Sequence, residues 1–170
     1  MTPAMDATIE STLSSLARSP AFLKELLEQI PQSRYREQRV AGKWTIHEQV
    51  CHLVDAQQIL KARFQQFRDE EHPHIQSHIP GQEAEPKNYL EMDMGQAVAE
   101  FPAIRAEMLR MLERQPGEFW SRQGTHDAFE PYSARLLLMH TLNVDHTHFF
   151  SIEQLGLTRD GLEGEIMVLP

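Results

Sequence analysis

Apolar side chains recur along this chain three and four residues apart, the spacing of amphipathic helices rather than of strands. Four segments carry the pattern. The first covers about residues 5–29, where Leu13, Leu16, Phe22, Leu23, Leu26, Leu27 and Ile30 carry the apolar pattern. Pro20 interrupts it, and the residue before a proline avoids the α region, so a break or bend is expected there. The second opens at "WTIHEQV", where Thr45 followed three residues later by Glu48 makes a capping box, and runs to about Arg68. The third covers about residues 94–114 on Val98, Phe101, Ile104, Met108 and Leu112, with Pro102 expected to kink it or mark its start. The last follows Pro131 and runs to about Leu155, where Gly156 can end it.

Four such helices of roughly 20 residues make an all-α four-helix bundle the economical architecture. Between the second and third lies "DEEHPHIQSHIPGQEAEPKN", polar and holding three prolines, which reads as a long loop. At about 25 residues it far exceeds the usual connection of roughly 2–8, long enough to cross the bundle. "QPGEFWSRQGTHDAFEP" is a second connection, with a turn of helix expected at Glu118–Ser121. A single domain over residues 1–170 is expected, its core at about 5–156 and its tail at 157–170. No repeat or low-complexity segment appears.

Composition narrows the class. In 170 residues, 41% hydrophobic content is enough for a full core. Lysine and arginine number 16 against 25 acidic residues, a formal charge of −9 with no basic stripe, which argues against a nucleic-acid partner. The lone Cys51 has no partner for an internal disulfide and fits a reducing, cytoplasmic setting. "MTPAMDATIESTLSS" lacks the basic and apolar regions of a signal peptide, and no apolar run approaches the roughly 18 residues that span a bilayer, so no membrane partner is expected.

Candidate chemistry rests on the nine histidines. In "HTLNVDHTHFF" three crowd together, but a helix separates them. Stepping about 100° per residue puts Leu137, Thr141, Val144, His148, Ile152 and Leu155 within about 60° of one line. His146 points to the opposite side, toward solvent. His140 sits eight residues before His148, about 12 Å along the axis, too far for one ion at nitrogen–metal distances near 2 Å. One interior histidine, His148, survives. On the second helix His52 lies at the flank of the apolar stripe, near Ala56 and Arg63, while His47 falls in the first turn and is expected to be exposed. His72, His74 and His78 lie in the long loop. Cys51 points about 100° away from His52 and reads as a small packed residue.

These residues resemble a known family. "GKWTIHEQVCHLVDAQQ" is similar to the helix signature of the DinB/YfiT-like superfamily, with Gly42, Trp44, Thr45, Val50, His52, Leu53 and Asp55 at its positions. "GTHDAFEPYSARLLLMHTLNVDHTHFFSIEQL" resembles that family's last helix, and the likeness spans about residues 10–156. The resemblance implies an up-down-down-up bundle with a divalent metal, zinc, nickel or manganese, held by three histidines at one end. It implies metal ligation by His52 and His148. The third position falls on Val144, which has no lone pair to give. Asp145 points about 60° off the direction of His148 and is a poor substitute, leaving the loop histidines as candidate donors.

The resemblance implies a metal-dependent enzyme acting on a small molecule, either a thiol-dependent S-transferase using bacillithiol or mycothiol, or a hydrolase. The alternative it leaves open is a bundle with a degraded metal site, serving as a small-molecule binder or interaction module. Pairing into a homodimer through two helices around a twofold axis is a further expectation. His52 and His148 should meet in the interior, with Trp44 packed at the base of the site.

Overall fold

A computed structural model of the chain describes residues 6–79, 82 and 85–168. Four helices build it: α1 (Ala7–Glu28), α2 (Ile46–Asp69), α3 (Met94–Glu113) and α4 (Ala134–Leu157). Each begins where a short polar side chain covers the first free backbone N–H groups. Asp6, Thr45, Asp93 and Ser133 serve the four in turn. At Thr45 the capping box is complete, with the Thr45 amide donating to Glu48 Oε2 at 2.8 Å and the Glu48 amide to Thr45 Oγ1 at 3.3 Å.

Helix directions follow from which residues meet. Lys61 pairs with Glu107, and His47 reaches Met92, so α2 and α3 run parallel. Arg135 pairs with Asp6, and Phe149 packs on Phe22, so α1 and α4 also run parallel. The adjacent pairs are α1–α3, α3–α2, α2–α4 and α4–α1. That arrangement is the up-down-down-up order, with the long segment between α2 and α3 carrying the chain back across the bundle.

The core is divided in two. One cluster gathers Leu13, Leu16, Phe64, Phe67, Met108, Leu112 and Leu137, and the other Leu23, Val50, Leu53, Phe101, Ile152 and Leu155. Between them sits a polar layer. Arg105, 1% exposed, grips the 0% exposed Asp145 with both terminal nitrogens at 2.8 and 2.9 Å, and donates to Gln57 Oε1 at 2.7 Å. Its Nη1 also donates to the Leu16 carbonyl at 2.9 Å. That last bond explains how α1 passes through Pro20 unbroken. Pro20 has no N–H to give the carbonyl four residues back, and Arg105 supplies the missing donor.

Helix α4 runs through Gly156 instead of ending there, because Gly156 is a packing residue: a Cβ on it would lie 2.3 Å from Ile30 Cδ1. Helix α3 likewise contains Pro102 without ending or starting at it. The connections hold a small sheet that helical periodicity could not show. Strands β1 (His74–Ile75), β2 (Gln123–His126) and β3 (Tyr132–Ser133) lie in that order, β1 parallel and β3 antiparallel to β2. A short 3₁₀ turn at Gly117–Ser121 precedes β2, as expected from the sequence. Among the described residues no helix is long and apolar enough to cross a membrane.

Candidate functional site

Between α2 and α4, the one antiparallel pair on that side of the bundle, a cleft of about 660 Å³ opens to the surface. Its α2 wall is Gln49, His52, Ala56, Ile59, Leu60 and Arg63, and its α4 wall is His140, Asn143, Val144, Thr147 and His148. Steps of three and four residues along both helices put these side chains on facing stripes. Gly42, Lys43 and Trp44 close one end, and His78 and Ile79 border it from the long connection.

His52 and His148 meet in this cleft, their ring centroids 5.0 Å apart. Trp44 packs on both, at 4.6 Å from His52 and 6.5 Å from His148 between centroids. Each imidazole is held through Nδ1. His148 Nδ1 lies 2.6 Å from Gln49 Oε1, an acceptor, so this nitrogen carries the proton. His52 Nδ1 lies 3.1 Å from the Tyr89 hydroxyl, and that hydroxyl donates to Asp55 Oδ2 at 3.3 Å. Lys87 in turn grips Asp55 at 2.6 and 2.7 Å. The His148 ring is therefore set in the tautomer whose lone pair is on Nε2, and the bond to Tyr89 fixes the orientation of the His52 ring. Ligating histidines are oriented in this way, by a hydrogen bond from the nitrogen that does not bind.

Burial, with the nearby His52 adding to it, pushes the His148 pKa down to about 3. A ring that stays neutral at ordinary pH is ready to act as a ligand or acceptor. Burial also pushes the Cys51 thiol up to about 11, which makes it an inert core group, as the helical wheel implies.

The remaining histidines separate from the pair. His146 is exposed. His47, expected to be exposed, is buried, with Nε2 bonded to the Met92 carbonyl at 2.9 Å. His74 binds Asp127 and Thr125 on the sheet. His140 and His78 both line the cleft, but among the described residues no group of three or more His, Cys, Asp or Glu side chains could hold a metal ion. Val144 occupies the cleft wall one turn before His148, packing against both halves of the core. Asp145 turns inward from the cleft wall and is committed to Arg105. By donor type the two Nε2 groups suit zinc or nickel, as a two-nitrogen anchor and not as a closed three-residue set.

Sequence reasoning did not reach Gln49, Tyr89 or Arg63 as site residues. Gln49 precedes His52 by three positions, so its place on the same face was readable. Arg63 repeats that face eleven residues on. Tyr89 arrives from a loop through a 3₁₀ turn, Tyr89–Glu91, which no periodicity announces.

Comparison with known proteins gives the same fold. No curated protein matches this chain. Among solved structures it is similar to YfiT from Bacillus subtilis, described as a probable metal-dependent hydrolase with an unusual four-helix bundle topology. The TM-score is 0.72 at 21% identity, over 90% of this chain and 89% of that one. The model of the DinB superfamily matches residues 15–149, which include α2, α3, the His52–His148 pair and most of the cleft. This chain belongs to the DinB superfamily.

Proposed function

We propose that the chain is a metal-dependent enzyme acting on a small molecule in the α2–α4 cleft, with His52 and His148 as the protein ligands of a divalent cation. The observation that carries this reading is the paired orientation of the two rings. Each is held through Nδ1 by a separate partner, and both rings line the head of one cleft, 5.0 Å apart between centroids. Ligating imidazoles are oriented by such bonds at the nitrogen that does not bind the metal. Bound there, zinc, nickel or manganese would supply Lewis acidity, lowering the pKa of a coordinated water or thiol. Gln49 and Tyr89 hold the rings, Trp44 shields one face from water, and Ala56, Leu60 and Val144 give the cleft an apolar lining for the carbon skeleton of a substrate. A hydrolase or a transferase using a low-molecular-weight thiol fits this arrangement. The description of YfiT as a probable metal-dependent hydrolase supports the first of these.

A second reading is favoured by Val144: a bundle that binds a small molecule without metal chemistry. The test separates the two. Chelator-treated protein is reconstituted with zinc, nickel or manganese and assayed for hydrolysis of activated esters and amides, and for transfer of small thiols to electrophiles. The enzyme reading expects metal-dependent turnover that falls at least 100-fold in His52→Ala and in His148→Ala, the scale seen when catalytic groups are removed. Turnover that is absent with every metal, together with no metal-induced rise in melting temperature, leaves the binding module standing instead.

A further inference from the structure

The cleft has a charge pattern opposite to that of the chain. The protein carries a formal charge of −9. Yet the side chains that line the cleft include Lys43 and Arg63 and, among the described residues, no carboxylate. Arg63 stands at the far end from His52, eleven residues along α2 and so about 16 Å along the helix axis.

Its environment is unusual for an arginine. Arg63 is 8% exposed, and burying a guanidinium costs free energy unless an anion or a full set of acceptors compensates. The other buried arginines have their compensation: Arg105 has Asp145, and Arg39 has Asp160, Glu163 and three backbone carbonyls of the α4 terminus and the turn after it. Arg63 has one hydrogen bond, from Nη2 to the Gln76 carbonyl at 2.8 Å, and among the described residues no carboxylate pairs with it. The Arg63 side chain lines the cleft. The positive charge is felt by its neighbours: after burial, Arg63 is the next cause that holds His126 and His140 below the usual imidazole range. Both shifts favour the neutral ring beside the guanidinium.

We propose that Arg63 is the recognition residue for a small organic anion, whose carboxylate or phosphoryl oxygens take the guanidinium while its carbon chain lies along Ala56, Leu60 and Val144 toward the histidine pair. This rests on the reading of the cleft as a small-molecule site and not on the metal. A planar guanidinium paired with no carboxylate among the described residues suits a two-oxygen anion. Lys43 at the other end, also without an ion pair among the described residues, adds to the field that draws an anion into an otherwise acidic protein.

The test uses the full-length, chelator-treated protein and three probes: hexanoate, monobutyl phosphate and the neutral hexanamide. Binding is followed by calorimetric titration and by the NMR resonances of the arginine side chains. At least one anion should bind ten-fold or more tightly than hexanamide, and which one it is separates a carboxylate site from a phosphoryl site. Arg63→Met should bring that anion down to the level of hexanamide, and Arg63→Lys should keep part of the preference. Zinc affinity measured alone should stay within two-fold in both variants, so failure at the anion site is told apart from failure at the metal site. If Arg63→Met does not fold, the wild-type Arg63 Nε resonance decides, since it must shift with the favoured anion. Equal binding of anions and amide, a preference that survives Arg63→Met, or an unmoved Arg63 resonance overturns the proposal.

Discussion

Replacing Arg105 by methionine would leave the Asp145 carboxylate buried with its cation gone. Breaking a buried pair from one side costs about 3–5 kcal/mol, because the remaining charge has no compensation. Arg105→Met combined with Asp145→Leu should recover much of that loss. The carbonyl of Leu16, orphaned by Pro20, would still be without a donor, at a cost of about 1–3 kcal/mol. Adding Pro20→Ala supplies an in-helix N–H and should return part of it. Urea unfolding of the four proteins reads the series, and a third substitution without effect would remove the link between Pro20 and Arg105. His148 makes a separate prediction at the same scale. Its pKa is lowered in the folded chain to about 3 from 6.5. Between those values the unfolded chain binds the extra proton, so this residue's contribution is complete above about pH 6.5 and is lost as pH falls toward 3. The slope from one such group is at most about 1.4 kcal/mol per pH unit. Stability of metal-free protein should fall with pH across this window, and less steeply in His148→Gln.

At the level of elements, the glycine in α4 offers a clean check. Gly156→Ala should destabilise by about 1–3 kcal/mol through overpacking against Ile30, although alanine is the better helix former. A thermal melt showing a more stable variant would mean that Ile30 yields freely. The four helices were legible in the sequence because each carries enough turns for the apolar spacing to repeat, and the α2 start was legible to the residue through Thr45 and Glu48. The continuity of α1 was not, since the donor that rescues Pro20 comes from Arg105, far along the chain. Arg105 itself left a signal, an arginine in register with Phe101, Met108 and Leu112, whose meaning needed the facing Asp145. The small sheet left almost none. Strands of two to four residues are too short to show alternation, and their pairing joins His74–Ile75 to Thr125–His126 across the sequence. Of the site, His52, His148 and Trp44 came from one motif and one helical wheel. Tyr89, which comes from a loop, and Arg63, whose lack of a carboxylate partner among the described residues is a tertiary fact, did not.

On the scale of the whole molecule, the polar layer and the cleft share α2 and α4 and divide their faces. Gln57 and Asp145 turn inward to Arg105, while His52, Ala56, Val144 and His148 turn to the cleft. One pair of helices thus carries both the layer that fixes packing and the lining of the cleft. The central claim is that this surface holds a metal anchor with one position filled by Val144. Calorimetric titration of zinc and nickel into chelator-treated parent and Val144→His measures it most directly. An imidazole one turn before His148 would add a third nitrogen, about 6 Å along the axis from its neighbour. Affinity in the variant should rise at least ten-fold, about 1.4 kcal/mol, while metal-free stability falls by roughly 1–3 kcal/mol as the larger polar ring displaces valine. Tight one-to-one binding by the parent that the substitution weakens would contradict it, and would mean that a different group completes the site.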